Sequence, residues 1–115
     1  MKNLLFFAAV FLATALHAAE LLQDIVPPKP ISTKTPIYSP EARRAGQQGI
    51  VVLKLKIRRD GTVEQVEIEK SSESKLLDDA TTSAAREWIF SPARTKNGDA
   101  VEGSIRIPVR FALDI

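Results

Sequence analysis

Residues 49–70 read GIVVLKLKIRRDGTVEQVEIEK, and the fold follows from how this stretch pairs with itself. Val51, Leu53, Leu55 and Ile57 fall on one side, and Lys54, Lys56 and Arg58 on the other. That is the period of a strand with one buried face. Asp60-Gly61 follows, a strong hairpin signal because Gly accepts the positive φ of a tight turn. Beyond it Val66 and Ile68 alternate with Gln65, Glu67 and Glu69. A two-residue turn at Asp60-Gly61 sets Arg59 opposite Thr62. Counting back, Leu55 faces Val66, Leu53 faces Ile68 and Lys54 faces Glu67. Apolar meets apolar on one face and opposite charges meet on the other, so pattern and turn agree on one register. A lone hairpin is marginal in water, so the rest of the chain has to cover its apolar face.

The cover is predicted from residues 71–90. Ser71-Ser72-Glu73-Ser74 suits a turn and a helix cap, with Ser74 as the cap. Leu77, Ala80, Thr81, Ala84 and Trp88 then recur at helical spacing on one face. Ala80 and Ala84 are small enough to let that helix sit close to a sheet. Asp78 and Asp79 lie near the helix start, where negative charge is favourable, and are read as structural rather than as a catalytic pair. Trp88 and Phe90 are read as core anchors, and Pro92 stops helix from continuing. Residues 95–103, with Asn97-Gly98, read as a polar loop.

The last strand is SIRIPVRFAL, residues 104–113. Ile105, Ile107, Val109, Phe111 and Leu113 share one face, and Arg106, Pro108 and Arg110 the other. Proline has no N–H to give a ladder, so Pro108 belongs on an edge strand with its nitrogen facing away from the neighbour. Upstream, residues 39–46 form one short helix: Ser39 caps it, Pro40 suits its first position, Glu41 suits its positive end and Gly46 ends it. The expected fold is α+β and two-layered. A three-stranded antiparallel sheet, order 2-1-3, packs on one main helix that covers the apolar face of all three strands, and a short helix precedes the sheet.

Composition limits the function. The chain has 115 residues, 44% hydrophobic and 26% charged, which fits one ordinary globular domain. Net charge is only +2 and the charges are interspersed, so nucleic acid is not an expected partner. There is no Cys, which removes disulfides, thiolate metal sites and a Cys nucleophile. The single His, His17, lies in an N-terminal segment expected to be removed. A hydrolase needs an activated nucleophile or a metal, and no residue pattern here supplies either, so neither enzyme activity nor a cofactor is expected.

That N-terminal segment has one charge, Lys2, then an apolar run from Leu4 to Leu16, then Ala18-Ala19. It reads as a secretory signal peptide, residues 1–18, cut after Ala18 or Ala19. The run is shorter than the ~20 residues a spanning helix needs. Left uncleaved, it is an inner-membrane anchor. Residues 19–37 carry Pro27, Pro28, Pro30 and Pro36 and read as an extended linker ahead of the domain at 38–115.

In order, Tyr38-Ser39-Pro40-Glu41-Ala42-Arg43, Gly49, Asp60-Gly61, Ser71-Ser72, Leu77-Asp78, Ala84, Trp88-Ile89-Phe90-Ser91-Pro92-Ala93, Gly98 and Pro108-Val109-Arg110-Phe111 resemble the TonB C-terminal domain over nearly the whole mature chain. The W-x-F-x-P piece, with the D-G hairpin before it and the P-V-x-F strand after it, is specific only in combination. The resemblance implies a periplasmic domain of Gram-negative bacteria. Such a domain binds the TonB-box segment of outer-membrane transporters by strand addition along the C-terminal strand. It also implies a membrane helix tied to a proton-driven motor and a long proline-rich spacer. The residues supply the means independently, since an edge strand offers unpaired backbone groups.

The contact is therefore expected along Ser104, Ile105, Arg106, Ile107, Pro108, Val109, Arg110, Phe111, Ala112 and Leu113. Arg106 and Arg110 project from the face away from the helix, to hold a partner or to keep the face soluble. The leading expectation is a periplasmic module that captures an extended peptide of a transporter or another envelope protein. One alternative is a membrane-anchored energy transducer. Another is a structural envelope protein that forms a homodimer through the same edge. Two departures weigh against energy coupling. At ~3.1 Å per residue the linker reaches about 50–60 Å, and Ala13 stands four residues before His17 where the family's anchor has Ser.

Overall fold

The computed structural model describes residues 24–113; the signal segment and His17 lie outside the described residues. In chain order the elements are β1 (Lys29–Ser32), α1 (Pro40–Arg44), β2 (Gly49–Ile57), β3 (Val63–Lys70), α2 (Lys75–Ala85), β4 (Ile89–Ser91), β5 (Ala93–Arg94), β6 (Ala100–Val101) and β7 (Gly103–Phe111). The main sheet has the order β3-β2-β7, antiparallel throughout, which is the expected 2-1-3 arrangement.

The hairpin body has the register derived from the sequence: Leu53 opposite Ile68, Lys54 opposite Glu67, Leu55 opposite Val66. The turn differs. Arg58, not Arg59, pairs with Thr62: its N–H donates to the Thr62 carbonyl at 2.9 Å, while the Gly61 N–H donates to the Arg58 carbonyl. The loop therefore has three residues, with Gly61 at φ +89°. The Asp60 carboxylate accepts from the Thr62 amide and hydroxyl and closes the turn. A one-residue bulge, with Val63 opposite Ile57 and Gln65 opposite Lys56, absorbs the extra residue. The two departures cancel, because only the original register keeps apolar side chains on the core face.

Ser39 and Ser74 cap α1 and α2, their hydroxyls accepting from Ala42 N and Leu77 N. Helix α2 buries Leu77, Thr81, Ala84 and Ala85. It packs most closely on β3 and β2. The inward residues of β7 are covered less completely, so Ile105, Ile107 and Val109 are only partly buried. Tyr38 covers the far end of β7, its ring edge-on to Phe111 with centroids 5.3 Å apart. Val51, Leu53, Leu55, Ile57, Trp88 and Phe90 complete the core, as the alternation and the aromatic pair indicated.

The proline-containing stretch is not a free spacer throughout. Lys29–Ser32 pairs antiparallel with Ile89–Ser91, and Val26 bridges to Arg94. The Trp88 indole N–H donates to the Lys34 carbonyl at 2.7 Å. Pro30 fits because β1 is an edge strand. The expected polar loop also has structure: Ala93–Arg94 and Ala100–Val101 form a small hairpin, with Gly98 in its turn at φ +88°.

Candidate functional site

Among the described residues strand β7 pairs only with β2, in one unbroken register from Gly49↔Phe111 to Ile57↔Gly103. Which of its backbone groups are free follows from the hairpin. Arg58 turns its amide toward β3, and alternation along β2 then points Lys56, Lys54 and Val52 the same way. Leu55, Leu53 and Val51 therefore point to β7, where they meet Ile105, Ile107 and Val109. Ser104, Arg106, Pro108 and Arg110 are left with their backbone groups turned outward, and Pro108 loses no ladder bond because its nitrogen faces away from β2, as expected from the sequence. The open edge offers four carbonyl acceptors and three N–H donors, with a gap at Pro108.

The strand ends at Phe111. Ala112 and Leu113, expected as part of the contact, lie beyond the ladder, and the Leu113 amide is held by the Gln48 side-chain oxygen at 2.9 Å. Gly103 joins β7 at the other end, one residue earlier than expected. A Cβ there would lie 2.6 Å from that of Ala93, so glycine lets this end pass under the small hairpin.

The two arginines are not equivalent. Arg106 reaches across β2 to Glu69, Nε to Oε2 at 2.6 Å and Nη2 to Oε1 at 2.7 Å, a two-point ion pair on the exposed face. Arg110 takes part in no ion pair among the described residues. It lines a shallow depression with Gln48, Gly49, Ile50, Phe111 and Ala112 at the end of the edge. Ile50 is 47% exposed there, an apolar contact beside a cation. Gln48 and Ile50 were not expected at the site. Ile50 had a signal, since it alternates onto the same face as Lys54. The capture of Arg106 by Glu69 had none, because it depends on the relative slide of two strands far apart in sequence.

Asp78 and Asp79 do not form a reactive pair. Asp78 accepts from the Ser71 and Ser72 hydroxyls and from the Ser72 amide, tying α2 to the end of β3. Partial burial opposes its charge, but these hydrogen bonds outweigh it and hold the carboxyl below its ordinary range. Asp79 pairs with Lys75 one turn back on the surface.

The sequence profile of the Gram-negative bacterial TonB protein C-terminal domain matches residues 34–113. Protein TonB of Xanthomonas campestris pv. campestris is 47% identical over 79 residues, 69% of this chain and 35% of that protein. Protein tonB2 of Pseudomonas aeruginosa is 35% identical over 80 residues, 69% of this chain and 29% of that protein. The chain thus spans about a third of the length of these curated relatives. The solution NMR structure of the Pseudomonas aeruginosa TonB C-terminal domain superposes with a TM-score of 0.64 at 26% identity, covering 80% of this chain and 89% of that one. The α+β fold with its three-stranded sheet and one main helix is shared with that domain. The expected resemblance holds, and the chain belongs to the TonB C-terminal domain family, which is not a family of enzymes.

Proposed function

We propose that this protein is a periplasmic binding module that takes an extended, TonB-box-like segment of an outer-membrane transporter or other envelope protein as a fourth strand beside β7. The observation that carries this reading is the open β7 edge, where the backbone groups of Ser104, Arg106 and Arg110 face outward with nothing paired to them among the described residues. Backbone hydrogen bonds supply the affinity, and Arg110 with Ile50 supplies side-chain selection at one end. In this reading residues 1–18 export the chain, residues 19–37 connect it to the domain with Lys29–Ser32 docked on β4, and 38–115 bind. Titration of the 15N-labelled protein with a peptide from the periplasm-facing end of a transporter tests it. Amide shifts and slowed exchange centred on Ser104, Arg106 and Arg110 support the reading. A perturbation confined to other surfaces overturns it.

A second reading, a membrane-anchored energy transducer, is favoured by the names of the relatives, each called Protein TonB or tonB2. Intact mass and cell fractionation separate the two. A mature form starting at Ala19 or Glu20 in the soluble periplasm leaves a free binding module. A full-length, membrane-bound form makes the chain an anchored transducer.

A further inference from the structure

We infer that the β7 edge is built to accept a strand from another protein and to refuse a second copy of itself, and that Pro108 is the residue that discriminates. The inference deepens the strand-addition reading and rests on the same open edge. An exposed edge strand pairs with whatever extended chain it meets, and the most concentrated candidate is often the same edge on another copy. Two copies joined through one edge meet across a two-fold axis, antiparallel, each presenting the same surface. Each copy then brings its own Pro108 into the shared ladder, so the pair lacks two amide donors. A foreign strand without proline lacks one, opposite Pro108 alone.

The side chains add to the bias. In the register centred on Pro108, Arg106 stands directly opposite Arg110 of the second copy, and like charges facing across a ladder are destabilising. The Glu69 carboxylate paired with Arg106 lessens this repulsion, so the missing donors of Pro108 are the larger part of the bias. A foreign strand bearing a carboxylate meets Arg110 instead, at the end of the edge where Ile50 is exposed.

The test is association of the full chain, purified in mild detergent, compared with Pro108→Thr by sedimentation across a concentration series. Amide exchange at Ser104, Arg106 and Arg110 is read in parallel. Threonine restores the missing donor on both copies, and two backbone hydrogen bonds tighten dimerisation by about thirty-fold. The expected result is that shift, with the three amides becoming protected at high concentration in the variant only. Equal association of the two proteins, or a dimer in which those amides stay open, overturns the inference. Should Pro108→Thr fail to fold, the wild type decides alone: protection of its Ser104, Arg106 and Arg110 amides at high protein concentration overturns the inference, and open amides uphold it. A wild type that binds no transporter peptide while Pro108→Thr dimerises removes the proposed function and the acceptance of a foreign strand, and leaves only the block on self-pairing by Pro108 standing. A wild type that binds peptide and also pairs with itself does the reverse.

Discussion

Gly61 and Phe90 meet backbone to backbone: the Phe90 N–H donates to the Gly61 carbonyl at 2.8 Å, and a Cβ on Gly61 would lie 2.0 Å from the Phe90 carbonyl oxygen. The hairpin turn is thus also a docking point for β4. Gly61→Ala should cost upward of about 2 kcal/mol, combining a left-handed backbone with a clash that no rotamer relieves. Urea unfolding measures it. A variant as stable as the wild type would show that the turn does not press on β4.

Trp88 is 3% exposed and its indole N–H reaches the Lys34 carbonyl. Trp88→Ala should lose roughly 3–5 kcal/mol of stability. Trp88→Phe keeps most of the ring and loses the hydrogen bond, at about 1 kcal/mol. It should also loosen residues 29–34, read as faster amide exchange in β1.

Alternation along β7 gives a contrast between two prolines. Val109→Pro removes a donor aimed at β2 and should cost about 3 kcal/mol or more, enough to unfold a small domain. Arg110→Pro removes a donor aimed outward and should leave the fold cooperative while weakening peptide binding. Circular dichroism melts of the two variants decide it, and equal damage would refute the assigned parity.

Asp78 carries the pH dependence. Its carboxyl titrates below its ordinary value because serine groups hydrogen-bond the charged form. The folded state therefore binds this proton less readily than the unfolded state. The stabilisation is fully present above the ordinary value near 3.8 and is lost as pH falls through the lower folded value. Asp78→Asn should be less stable than the wild type at pH 7, and the gap should narrow in acid. A gap independent of pH would mean that charge plays no part.

Arg106 and Glu69 are exposed, so Glu69→Gln should change stability by less than about 1 kcal/mol, and less still in high salt. Arg106→Glu combined with Arg110→Glu should leave the fold nearly as stable and weaken an acidic peptide, with Arg110 providing most of the loss. Calorimetric titration of the single and double variants reads this; unchanged affinity would make both arginines solubilising only.

Much of the fold was legible because strand period and charge pairing are local. The alternation of Val51, Leu53, Leu55 and Ile57 against Val66 and Ile68 admitted one register with a dry face, and it survived a longer turn and a bulge. Pro108 marked an edge strand, since a ladder has no use for a residue without an N–H. Ser39 and Ser74 marked the helix starts by their own hydrogen-bonding chemistry.

The sequence by itself thus determined the elements, the sheet order and that the C-terminal strand is an edge strand, because each depends on the side chains of one segment and its near neighbours. Only the tertiary structure decided that residues 29–32 pair with β4, that Glu69 holds Arg106 and leaves Arg110 without an ion pair among the described residues, and that Gly61 lies against Phe90. Those contacts join segments more than 25 residues apart, and their geometry is set by how the layers slide over a shared core, which no local pattern encodes.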